Sequence, residues 1–224
     1  IEAVFILDFL TGDLRGGVAT EGGRSNGQIS AGLLNIRDDN RLNLDVKYTA
    51  ADRLLESDRG IIAPLPRRPY SLTGNILAPD GGEIDSGLSA LAGQSVERAS
   101  VPAAAANGRP QLSDFVAGAN VVNSSDIGRF RTLSPSTDTL TLNGVLARAL
   151  PGNISGSLNA RLDLGSSDSL RGLPSASLLI PAGSPFSPFS RPVQLYRYIG
   201  QTDPLAQKTD TVTGHLGLTL NGDL

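Results

Sequence analysis

Between Arg41 and Ala50 the chain reads RLNLDVKYTA, and no other stretch restricts the fold so tightly. Leu42, Leu44, Val46 and Tyr48 alternate with Arg41, Asn43, Asp45, Lys47 and Thr49. Period two marks a β-strand, because successive side chains leave a pleated backbone on opposite sides. One side of this strand is apolar and the other polar. It therefore separates either a protein core from water, or lipid from a watery lumen.

The pattern recurs. NISGSLNARLDL sets Ile154, Gly156, Leu158, Ala160, Leu162 and Leu164 on one face, with Ser155, Ser157, Asn159, Arg161 and Asp163 on the other. TVTGHLGLTLN aligns Val212, Gly214, Leu216, Leu218 and Leu220, and TLTLNGVL aligns Leu140, Leu142, Gly144 and Leu146. Arg148 breaks that last face near its end, where a long side chain can snorkel to an interface. At ALPGNIS a three-residue loop, Pro151-Gly152-Asn153, pairs Leu150 with Ile154 and brings Leu146, Leu142 and Leu140 opposite Leu158, Leu162 and Leu164. A two-residue loop would turn threonines onto those leucines, since a one-residue slip reverses every side chain. An earlier hairpin is expected to turn at Asp38-Asp39-Asn40, with either Ile29, Ala31 and Leu33 or Leu34 and Ile36 on the apolar face.

Strands are thus expected near 12–20, 27–37, 41–50, 137–150, 154–166 and 209–221, joined by tight turns at 38–40 and 151–153 and by long connections at 51–136 and 167–208. In an up-and-down order the tight turns share one end and the long connections the other, the asymmetry of a bacterial outer-membrane barrel. The expected fold is all-β: an antiparallel up-and-down meander, one partial transmembrane β-barrel domain over 1–224 with two long external loops. Strands of this length exceed the usual soluble ones of about 5–6 residues. No apolar run is long enough for a spanning helix. IEAVFILDFL is interrupted by Glu2 and Asp8 and lacks a basic leader, so it is not expected to be a signal peptide. The chain has no Cys, which excludes disulfides, and a net charge of −3, which disfavours nucleic acid as a partner. It also has no Met, even at its start, and is expected to be a processed chain or a piece of a longer one.

TEGGRSNGQISAGLLNIRDDNRLNLDVKYTAADRLLESDRG resembles the opening barrel strands of TonB-dependent outer-membrane receptors. FRTLSPSTDTLTLNGVLARAL, LRGLPSASLLIPAGSPFSPFSRPVQLYRY and TGHLGLTLNGDL are similar to later segments of such receptors from one proteobacterial branch. The resemblance runs from about Thr11 to Leu224. It implies residence in the outer membrane, lipid against the apolar faces, a plug domain and further strands as neighbours, and energised uptake of a small-molecule nutrient through TonB. It implies neither an enzyme nor a cofactor. The chain departs from the family in several ways. Receptors of that kind close a barrel of about 22 strands around a plug. Here there is room for about six strands, with no plug, no energy-coupling TonB box, no closing strand with a terminal aromatic, and no aromatic girdle beyond Tyr48.

Little in the sequence points to catalysis, and no catalytic or metal-binding residue is expected. His215 is the single histidine and lies on a polar strand parity. No G-x-S-x-G elbow occurs, and one His without Cys makes a poor zinc site. DRLLESDRG and PDGGEIDSG gather carboxylates, Asp52, Glu56 and Asp58 and then Asp80, Glu83 and Asp85, without the spacing of an EF-hand. The aromatics are more pointed. Tyr70, Phe115, Phe130, Phe186, Phe189, Tyr196 and Tyr198 all fall in the long connections. GSPFSPFSRPVQLYRY concentrates Phe186, Phe189, Arg191, Tyr196, Arg197 and Tyr198, the candidate ligand-binding set on an external loop. Arg41, Asn43, Asp45, Lys47, Asn159, Arg161 and Asp163 are expected to face the lumen. A secreted soluble β-sandwich, an adhesin or carbohydrate-binding protein, is the alternative that also hides one strand face. A hydrolase on a β scaffold is a third and depends on His215.

Overall fold

The computed structural model describes residues 2–7, 10–18, 24–37, 39–61, 69–106 and 108–222. The chain is all-β and its sheets are antiparallel. The strands, in order, are β1 (Glu2–Leu7), β2 (Leu10–Val18), β3 (Ser25–Arg37), β4 (Asn40–Ala51), β5 (Leu54–Leu55), β6 (Asn75–Leu77), β7 (Arg98–Ser100), β8 (Thr132–Ser134), β9 (Ser136–Leu150), β10 (Ile154–Leu170), β11 (Ser175–Ile180), β12 (Val193–Tyr198) and β13 (Ala206–Gly222). Among the described residues one α-helix, α1 (Ser86–Ala92), is joined by short 3₁₀ turns. The chain divides into two compact units, one of residues 1–60, 131–171 and 206–224, the other of 61–130 and 172–205.

The first unit is a seven-stranded sheet in the order β1-β2-β3-β4-β9-β10-β13, an up-and-down meander, with the small β5–β8 pair beside it. The sheet is open, with β1 and β13 at its edges. The β9–β10 register has Leu150 opposite Ile154 and Leu146 opposite Leu158, the three-residue loop that coincident apolar faces require. Gly152 (φ 84°) and Asn153 (φ 55°) take the left-handed backbone that closes it, a region only Gly and Asn enter cheaply. The β3–β4 hairpin has the alternatives left open by the sequence resolved: Arg37 pairs with Asn40, and Ile29, Ala31 and Leu33 oppose Tyr48, Val46 and Leu44. Ile36 falls opposite Arg41 instead. The turn is thus one residue tighter than expected, and Asp38 lies outside the described residues. β1 was not anticipated, because Glu2 and Asp8 interrupt its pattern. Pairing with β2 from Glu2↔Arg15 to Leu7↔Leu10 supplies what local alternation does not.

Stacked in register, the alternating strands make one apolar face across the sheet. It runs from Leu10 and Leu14 through Ile29 and Leu33, Leu44 and Val46, Leu142 and Leu146, and Leu158 and Leu162 to Leu216 and Leu218. Nothing covers it. Every buried apolar side chain except Leu54 belongs to the second unit, so the large sheet contributes none among its described residues. On β13, Val212, Leu216, Leu218 and Leu220 are 61 to 74 % exposed.

The second unit occupies stretches expected as long loops, 51–136 and 167–208. A four-stranded sheet, β11-β12-β6-β7, joins pieces of both, with β12 pairing to β6 through Leu195↔Ile76. Ile76, Ile84, Leu88, Val96, Ala99, Phe115, Phe189 and Val193 form its core, and Phe115 meets Phe189 edge-on at 4.9 Å between ring centres. Its strands are only 3–6 residues long, too short for alternation to register in the sequence. Residues 62–68 of this stretch lie outside the described residues.

Candidate functional site

The six residues expected to bind ligand are divided by the structure among three places. β12 explains most of the division, since its side chains alternate across the small sheet. Val193, Leu195 and Arg197 share one side; Tyr196 and Tyr198 lie on the other and pack on Tyr70, with ring centres 5.4 and 5.6 Å away. Arg191 lines a shallow polar depression with Asp80 and Glu83. Phe186, Phe189 and Arg197 line a cleft of about 240 Å³.

The cleft is walled by Leu72, Ile76, Val101, Phe115, Ile180 and Leu195, and by Pro102, Pro110 and Pro188. Phe189 is buried at the edge of the core, whereas Phe186 is 68 % exposed. Arg197 is the one charged side chain among the described residues that line it. Its Nε donates to the Leu72 carbonyl at 2.9 Å, which fixes the plane of the guanidinium. An apolar hollow with one oriented charge is the usual composition of a small-molecule site.

Two buried polar clusters hold the walls in place. Asp85 caps α1: its Oδ1 accepts from the Leu88 amide at 3.1 Å, and its Oδ2 accepts from the Ser190 amide at 2.7 Å and the Ser190 hydroxyl at 2.6 Å. It thereby ties the first long segment to the second. Burial alone pushes this carboxyl up; the hydrogen bonds from Ser190, Leu88 and Gly87 outweigh it and hold Asp85 below the ordinary aspartate value. Asn75, fully buried, donates to the carbonyls of Pro69 (2.6 Å) and Asn123 (3.0 Å) and accepts from the Asn123 amide (2.7 Å). The Asn123 amide group returns bonds of 3.0 Å to the Gly74 and Val101 carbonyls. Backbone that belongs to no long strand is satisfied in this way. Sequence reasoning passed over Asp85 in this role, although Asp85 before SGLSALA and Gly93 after it form a cap–helix–stop pattern.

Arg41, Asn43, Asp45, Lys47, Asn159, Arg161 and Asp163 all lie on the polar face of the large sheet. Arg161 clasps Asp163 through bonds of 2.7 and 3.0 Å, and Thr141 donates to the same carboxylate at 2.7 Å. Asn43 donates to Asp45 at 2.9 Å. His215 stands opposite Arg161. Two carboxylates of DRLLESDRG act in structural contacts: Asp58 accepts from the Leu55 amide at 2.8 Å, and Glu56 pairs with Arg131 at 3.2 Å. Among the described residues no three acidic or histidine side chains are grouped to hold a metal ion. Compared with models of protein families, with curated proteins and with solved structures, the chain matches none.

Proposed function

We propose that the seven-stranded sheet is part of the wall of a transmembrane β-barrel, and that the chain is a segment of an outer-membrane receptor of the TonB-dependent kind. The observation that carries the reading is the continuous, uncovered apolar face. Removing a single leucine side chain from water is worth about 1.5–3 kcal/mol, so a face this wide needs a cover. A sandwich would supply a second layer over Leu158 and Leu218; lipid supplies it with no further protein.

The dimensions of the face favour lipid. It ends in a straight row of partners, Ala50, Asp138, Ser166 and Asp210, across β4, β9, β10 and β13. Between that row and the tight turns, the apolar positions run from Ile154 to Leu164 on β10 and from Val212 to Leu220 on β13. At about 3.3 Å per residue and a strand tilt of roughly 45°, these spans rise about 19–23 Å, close to the apolar band of about 25 Å of an outer-membrane barrel. Tyr48 sits at the border, its hydroxyl donating to Asp138 at 2.6 Å, as an interfacial aromatic does.

In this reading Arg161, Asp163, Asp45, Lys47 and their neighbours line the lumen against a plug. Additional strands pair with the open edges β1 and β13. The second unit is built from the two segments that leave the sheet at the end opposite the tight turns, the end at which a barrel of this kind carries its external loops. Its task is to capture a scarce nutrient for uptake driven by TonB, with no bond made or broken. The flanking coding sequence tests this. A plug upstream and further alternating strands downstream are expected. Stop codons close on both sides, with a product that stays monomeric in buffer without detergent, would favour the soluble sandwich instead.

A further inference from the structure

The cleft of the second unit has a composition that selects among ligands. Its lining is apolar except for Arg197 and a few hydroxyls, and no carboxylate lines it among the described residues. Arg197 uses Nε on the Leu72 carbonyl, and no protein acceptor faces its two terminal amino groups among the described residues. Those groups form the edge of the guanidinium that carboxylates grip in pairs. Phe186, largely exposed, offers a flat apolar surface without a partner ring among the described residues.

We propose that the cleft binds a small organic acid with one carboxylate and a flat apolar body, the carboxylate on the terminal amino groups of Arg197 and the body against Phe186 and Leu195. A single cation balances a single negative charge. A dianion such as a phosphate monoester brings a second charge for which the described lining offers no second cation. A neutral molecule of the same shape gains the apolar contacts and leaves the guanidinium bonded to water. Naming the ligand rests on reading the second unit as the capture element, and it makes no use of the sheet's surroundings, so the two readings fail separately.

The test is binding of naphthoate, naphthylmethanol and naphthyl phosphate to the full chain, followed by ligand-observed NMR. Naphthoate is expected to bind about tenfold or more tightly than the alcohol, the worth of one charge-assisted contact. It should also outrank the phosphate and weaken as salt rises. Arg197→Gln should lower naphthoate to the level of the alcohol. Phe186→Ala, at a side chain exposed enough to leave the fold intact, should weaken both ligands by similar factors. Arg129→Gln, in the same unit but off the cleft, should change neither. Equal binding of acid and alcohol to the unaltered chain overturns the proposal without recourse to any Arg197 variant. So does absence of naphthoate binding at millimolar concentration, or a Phe186→Ala chain that binds as before.

Discussion

Asp85 shows how much one side chain can organise. It is buried, yet it remains the anion that α1 and Ser190 both need, because donors from Leu88 and Ser190 point at its two oxygens. Asp85→Asn keeps the shape, loses the charge and offers donors where only acceptors fit. It should cost about 1–3 kcal/mol at neutral pH, read as faster hydrogen exchange at the amides of β6 and β12. The sign of its pH dependence follows from the depressed folded pKa. Its contribution is complete above the unfolded value of about 3.9 and fades as pH falls through the folded one. The gap between the native chain and Asp85→Asn should therefore close in acid; a gap that persists there would mean that the charge is not the cause. Arg197 differs in kind: exposed and bonded once, it holds little of the fold together and is available to a ligand.

At the level of elements, register is the quantity that matters. Cysteines placed at Leu146 and Leu158, opposite each other across β9 and β10, should cross-link under mild oxidation, and a pair at Val145 and Leu158 should not. The reverse result would indicate the two-residue loop. The native chain has no Cys to interfere. The contrast between the two units also explains what could be read in advance. In β9 and β10, fifteen and seventeen residues in period two joined by a short loop leave one alignment that keeps leucine on leucine, so sequence alone carried that pairing. β6, β7 and β12 are short, and their partners lie far away in the chain, as in Leu195 with Ile76. Their existence depends on a core that no local window contains. The candidate site suffered the same loss. Phe186, Phe189 and Arg197 were legible as an aromatic and basic cluster, but the strand that turns Tyr196 and Tyr198 to the other side of the small sheet was not.

For the molecule as a whole, the two units solve the problem of apolar surface differently. The second buries its own in a core centred on Leu88 and Phe115. The first spreads its apolar surface over one face of a wide sheet and leaves it to the surroundings, as a barrel wall does in lipid. Everything proposed about membranes and uptake depends on that face. A nitroxide scan tests it most directly, with single cysteines introduced from Ile154 to Leu164 in the protein reconstituted in bilayers and read for collisions with oxygen and with a water-soluble nickel chelate. The account predicts that labels at Ile154, Leu158, Leu162 and Leu164 collide more with oxygen than with the nickel chelate and that those at Ser155, Ser157, Asn159, Arg161 and Asp163 do not share that preference. Labels at the four apolar positions that meet neither reagent, or that meet the nickel chelate, would place protein or water where lipid is expected and contradict it.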